Sequence, residues 1–263
     1  MNDVIFSQLR PSEWRPWQTI RTIAGRIADG ALPPRCVASG CSARDHDALC
    51  GSCWAGIDFI QKPLDDRLGV LLPFAGSDFA TALALADPPA YDRARAVARY
   101  SDVMCRLIDD LKYRDRHIAV GFFTRWLQNA GSELLKESNL LVPVPLHTSR
   151  LWFCCFNQFA LFASALSRAS GRLCEPLLLA CTKRTRSQVG LRADQRTRNL
   201  SGAISVTKDK ELAVKGRAIL LIDEVISTGA TAKACAKTLR RARAARIDVL
   251  AHWRVVCPLA SRK

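Results

Sequence analysis

The chain has 263 residues, 49% hydrophobic and 24% charged, which suits one α/β domain of common size plus a small appendage. Its formal net charge of +15 points toward polyanions such as nucleic acid or phosphorylated substrates, although an evenly solvated basic surface accounts for the same figure. No apolar run reaches about 18 residues, so no membrane span is expected; residues 151–166 come nearest and are broken by Asn157 and Gln158. The opening residues, MNDVIFSQLRPSEW, lack the basic start and apolar core of a secretory signal. Eleven cysteines, an odd count, fit a reducing cytoplasm better than a disulfide framework.

In chain order, Trp14, Trp17, Ile20, Ala24 and Ile27 fall at near-helical spacing, and Gly30 with Pro33 and Pro34 ends that element. Residues 31–62 form a compact cysteine-rich segment, expected to be a small domain. Residues 63–91 read as a strand-and-loop linker. From Tyr91 the composition turns helical, with Val103, Leu107, Ile108 and Leu111 on one face. A larger domain is expected over residues 92–258. From Asn139 strands and helices alternate, as a parallel sheet requires. Residues 140–145 read as a buried strand, residues 157–171 as a helix stopped by Gly171, and residues 203–206 as a weak strand. The run Leu177 to Ala180 is apolar but short. Ala218 to Ile222 is the strongest strand, a helix runs from Ala230 to about Arg243, and Ile247 to Val256 closes the sheet.

Four cysteines cluster. Cys36 and Cys41 form C-x4-C, and Cys50 and Cys53 form C-x2-C. Two short thiolate knuckles are what a tetrahedral Zn²⁺ needs, because each pair must reach one ion from a tight turn. Four thiolates leave no open position, so the expected zinc is structural. His46 lies between the knuckles as a possible substitute ligand.

The segment RAILLIDEVISTGAT, residues 217–231, carries the chemistry. An apolar strand ends in Asp223 and Glu224, and Ser227, Thr228, Gly229, Ala230 and Thr231 lead into a helix. Amides of such a turn and the positive end of a helix attract phosphate, and Gly229 permits a tight approach. Hydroxyls of Ser227, Thr228 and Thr231 add donors. The two acids suit ribose hydroxyls, or a Mg²⁺ held mainly by water and phosphate oxygens.

This segment resembles the phosphoribosyl-pyrophosphate (PRPP) loop of type I phosphoribosyltransferases. Taken with the Pro-Pro-x-Cys knuckle, Asp110 to Arg114, Val142 to His147 and Phe156-Asn157-Gln158, the order of motifs over residues 31–256 is similar to the ComF family. That resemblance implies a zinc ribbon joined to a type I phosphoribosyltransferase-like domain with a mostly parallel sheet and flanking helices. It also implies a role in natural competence and DNA uptake, alongside competence proteins. By the same resemblance Asp223 and Glu224 are the catalytic acids, residues 227–231 bind PRPP, and residues 182–199, with Lys183 and Arg184, form a hood over the substrate. The chain departs from the family at Phe153, Cys154 and Cys155, where arginines usually precede Phe-Asn-Gln. Arginine clamps grip pyrophosphate, so their loss bears on transferase activity, and Arg150 is the nearest remaining candidate. Glu224 replaces the usual second Asp, and Arg243 stands where the family commonly has Gly. One reading is an amidophosphoribosyltransferase-like enzyme acting on PRPP. The other is a DNA-handling protein, in which the basic hood and Lys233, Lys237, Arg240 and Arg241 follow a single strand's phosphates.

Overall fold

The computed structural model describes residues 34–36, 38–44, 48–72, 88–101, 116–145, 158–182 and 202–255. The chain divides into two compact units, Met1–Cys50 and Gly51–Lys263. In the first, the C-x4-C knuckle is a tight turn. Cys36 N–H donates to Cys41 O at 2.7 Å and Gly40 N–H to Cys36 O at 2.9 Å. Gly40 takes φ +67°, a conformation that costs glycine little.

The second unit is built on a five-stranded sheet. Its strands are β1 (Arg93–Arg99), β2 (Leu140–Pro143), β3 (Leu173–Cys174), β6 (Ala218–Ile226) and β7 (Arg246–Arg254). They lie in the order β1-β7-β6-β2-β3, and every adjacent pair is parallel. A separate antiparallel pair joins β4 (Leu179–Cys181) to β5 (Ile204–Val206). The helices are α1 (Gly51–Ala55), α2 (Arg116–Ala130), α3 (Ser132–Glu137), α4 (Gln158–Ser170) and α5 (Ala230–Arg241). The mostly parallel α/β sheet with flanking helices expected from the sequence is therefore present.

Both faces of the sheet are covered, which is why β6 reads as an unbroken apolar run. Successive strand residues project to opposite faces. Leu140, Val142, Ile219, Leu221, Ile247 and Val249 pack with Ala232, Cys235, Ala236 and Leu239 of α5 and with Leu179 and Ile204. Small residues on α5 let the helix lie close to the strands. On the other face Phe123 of α2 and Phe162 of α4 meet His252, at ring-centroid distances of 5.4 and 4.5 Å. Phe123 also meets Trp253 at 5.6 Å, and Trp126 meets Trp54 of α1 at 6.0 Å and Phe59 at 5.1 Å. Edge-to-face contacts of this kind add to the area these rings bury.

Several expectations from the sequence change. The stretch after Tyr91 begins as strand β1 rather than helix. Its Arg-Ala alternation favours a helix by propensity, but Ala94, Ala96, Val97 and Ala98 are buried beside β7, and sheet packing overrides propensity. The helical face at Val103, Leu107, Ile108 and Leu111 lies outside the described residues, as does the element at residues 12–28. Helices α2 and α3 and the two-residue strand β3 had no sequence expectation. Strand β7 does not close the sheet; it lies inside, between β1 and β6. Arg243 adopts φ +65° just after α5, the left-handed position where the family favours Gly, and its carbonyl accepts from Gly216 N–H at 2.9 Å.

Charged groups pin the sheet's N-terminal edge. Asp248, 2% exposed, forms ion pairs with Arg93 at 2.9 Å and Arg246 at 3.2 Å, and Glu137 at the end of α3 pairs with the same arginines at 2.9 and 2.7 Å. Arg240 of α5 pairs with Asp92, which also accepts Ile247 N–H at 2.8 Å. Arg240 is thus engaged within the fold, while Lys237 and Arg241 are exposed on that helix.

Candidate functional site

Strand β6 continues past Ile222 to Ile226, so Asp223 and Glu224 lie within the strand, followed by Val225 and Ile226, rather than at the start of a loop. Asp223 pairs in register with Ala251, and Ile226 with Arg254. The connection to α5 is only Ser227, Thr228 and Gly229, because Ala230 and Thr231 are already helical. Gly229 is the N-cap at φ +73°, a left-handed conformation that lets the chain reverse in so short a space. Thr228 Oγ1 accepts Ala230 N–H at 3.4 Å, and Lys233 N–H is the first to bond back into the helix, to Gly229 O at 2.8 Å. A helix start built this way presents its early amides and positive pole toward the strand end, the geometry that receives an anion. The acids, the hydroxyl-bearing turn and the helix start therefore follow one another at the C-terminal end of an interior parallel strand, where open α/β sheets bind ligands.

Asp223 lies on the α5 face, beside Cys235, and is partly accessible to solvent. Burial pushes its carboxyl up to about 7, against the pull of the Glu224 and Val225 amides; the neighbouring Glu224 charge adds to the rise. Asp223 Oδ1 accepts Glu224 N–H at 2.7 Å, which fixes the side chain relative to the turn. Raised in this way, Asp223 can exchange a proton near neutrality, and a bound cation would favour its charged form.

Behind the acids lies His252, which no sequence pattern singled out, since a lone histidine in an apolar strand carries no signal. It is 2% exposed, and burial lowers its imidazole pKa to about 3, so the ring is neutral. The Asp223 backbone pulls weakly the other way, toward the protonated ring, and among the described residues His252 Nε2 has no hydrogen-bond partner. Tyr91, also unforeseen, brings its hydroxyl to 3.7 Å from where a Cβ would stand on Gly229. Arg150, Lys183, Arg184, Lys112, Tyr113 and residues 153–155 lie outside the described residues.

Of the four expected metal ligands, the sulfurs of Cys36, Cys50 and Cys53 lie within 4.8 Å of one another. Cys50 N–H donates to Cys36 Sγ at 3.3 Å. Burial raises the Cys36 thiol, but the Cys50 amide and Ser39 bring it net below its ordinary value, the direction that favours a thiolate ligand. Cys41 is exposed, with its sulfur 2.9 Å from Ser39 Oγ, and that hydroxyl also lies 3.6 Å from Cys50 Sγ. Three gathered thiols and a fourth beside them fit a structural zinc centre. His46 lies outside the described residues.

Residues 27–83 match the family model of a double zinc ribbon domain. Within that stretch the chain has four cysteines, a ligand set for one ion. Among curated proteins, the DNA utilization protein YhgH of Escherichia coli K12 is 30% identical over 212 residues, covering 79% of this chain and 90% of that protein. Competence protein F of Haemophilus influenzae is 29% identical over 170 residues, covering 63% and 74%. Among solved structures, orotate phosphoribosyltransferase from Aeropyrum pernix aligns at 16% identity and a TM-score of 0.33, over 57% of this chain and 64% of that one.

Two measurements probe this site. For Asp223 and His252 the signs oppose. Asp223 holds its proton in the fold up to about pH 7 but releases it near 3.8 when unfolded, so it lowers stability as pH rises through that window. His252 stays neutral in the fold but takes a proton below about 6.5 when unfolded, so it raises stability as pH rises from about 3 to 6.5. The two contributions offset each other where the windows overlap. Asp223→Asn should make urea-derived stability climb with pH between about 4.5 and 6.5 more steeply than wild type, by about 1.4 kcal/mol per pH unit; parallel profiles would contradict the raised carboxyl. For the thiols, elemental analysis of gently purified protein should find about one zinc per chain, and Cys50→Ser should lose it. A folded, zinc-free wild type would exclude a structural ion.

Proposed function

The chain belongs to the ComF family, the family of DNA utilization protein YhgH and competence protein F, and from that premise we propose that it serves the uptake and use of DNA and holds a phosphorylated ribose, PRPP or a close analogue, at the end of β6. One observation supports the ligand above the rest. Two adjacent carboxylates lie near the end of an interior parallel strand, and after Val225, Ile226 and a three-residue turn closed by left-handed Gly229 the chain enters α5. A phosphate fits the turn and helix pole, and vicinal ribose hydroxyls fit Asp223 and Glu224, directly or around Mg²⁺ held mainly by water and phosphate.

The proposal is binding rather than turnover. The positions before Phe-Asn-Gln hold Phe153, Cys154 and Cys155 in place of the family's arginines, so the grip on pyrophosphate rests on Arg150. Lys183 and Arg184 are proposed as part of a hood above the ligand. The seven cysteines among the described residues stand outside disulfides, which suits a reducing compartment, and the cytoplasm is the proposed location. No helix among the described residues is long and apolar enough to cross a membrane. Single-stranded DNA is a proposed direct partner, drawn by the +15 charge, to which exposed Lys237 and Arg241 contribute. Competence proteins are proposed as protein partners.

Calorimetric titration of PRPP with Mg²⁺ should give saturable binding by wild type and at least about tenfold weaker binding by Asp223→Asn, a difference of about 1.4 kcal/mol. No binding by wild type, or equal binding by both, would reject the site. For DNA, affinity for a single-stranded oligonucleotide should fall steeply between about 50 and 200 mM salt, roughly one logarithmic unit per few released counterions. Affinity that is flat over that range would remove DNA as a direct partner.

A further inference from the structure

Arg254 ends β7 directly beside the turn. It pairs in register with Ile226, the last residue of β6, and Val255 N–H donates to Ile226 O at 2.9 Å. Although it carries a full charge, Arg254 is only 8% exposed. Tyr91, itself 3% exposed, hydrogen-bonds the guanidinium, and its hydroxyl is the group that lies against Gly229. Among the described residues Arg254 Nη1 has no hydrogen-bond partner, and Asp65 is the one acid whose charge bears on it.

A buried guanidinium without a close carboxylate is costly to hold, because water is excluded and its charge is not matched. An anion seated at the Gly229 turn would offset that cost, since electrostatic attraction is strong where solvent is scarce. The helix pole favours the same anion from the other side. We propose that Arg254, relayed through Tyr91, is a fixed cationic backing to the Gly229 turn and gives the site its preference for a phosphate over an uncharged sugar. The inference rests on the phosphorylated-ribose reading above and adds to it two residues outside the 223–231 segment. Arg254 acts here as a positioning and electrostatic residue; the turn itself touches the ligand.

The test uses the full chain, with Arg254→Met and Tyr91→Phe, and two probes, PRPP with Mg²⁺ and inorganic phosphate. An unmatched buried charge replaced by an apolar side chain of similar length should leave the ligand-free melting temperature equal or higher. The Kd for both probes should rise about tenfold or more in Arg254→Met, and about threefold in Tyr91→Phe, where the charge remains but its relay to the turn is cut. Arg254→Met binding within about twofold of wild type would overturn the proposal. So would a ligand-free Arg254→Met protein that is unfolded or melts more than about 5 °C lower, since Arg254 would then be a structural residue. Tyr91→Phe binding as tightly as wild type would exclude the relay. A wild type that binds neither probe rejects the phosphate reading itself, and is told apart from these outcomes because it precedes any comparison with the variants.

Discussion

The position of β6 inside the sheet governs the rest of the site. With β7 on one side and β2 on the other, the strand's backbone is held by two ladders, and its side chains are covered on both faces. The β2 ladder ends at Ile222, and β7 alone accompanies the strand from there to Ile226. Asp223 and Glu224 occupy fixed places, and the chain must reverse into α5 within three residues. That reversal is feasible because Gly229 accepts a left-handed conformation. The same confinement raises the Asp223 carboxyl toward neutrality, since the strand end is shielded although not sealed.

Around this strand end the fold gathers groups from distant parts of the chain. His252 and Arg254 come from β7, and Tyr91 comes from the segment before β1. His252 sits among Phe123, Phe162 and Trp253, where burial keeps the ring neutral. Arg254 and Tyr91 lie beside the turn. Acidic, neutral and cationic elements thus surround one short bend, and each is held by burial rather than by surface ion pairing. Such preorganisation is what a site needs to bind a charged ligand without rearranging first.

The zinc-ribbon segment follows a different logic. Its described residues offer little apolar surface, so the thiols take the place of a core. Cys36 is buried, and the hydrogen bonds it receives favour its charged form. In the second unit, by contrast, large aromatic rings and aliphatic strands do the same work through area buried from water.

How much of this was readable in the residues depends on how local the signal is. The chain order alone identified the strand at residues 218–222, its acid pair, the Gly229 turn, the helix after it and the two cysteine knuckles, because each is specified by neighbours a few positions apart. The parallel sheet followed from the alternation of strand and helix. Strand β1 reads as helix from its arginines and alanines alone, and becomes a strand only because β7 lies beside it. Nothing in the sequence marked His252, Tyr91 or Arg254, for their roles come from strand register and from the exclusion of water by elements far away in the chain. Local chemistry is written in short-range pattern, whereas burial, pairing and the shift of a carboxyl toward neutrality arise only when remote segments pack together.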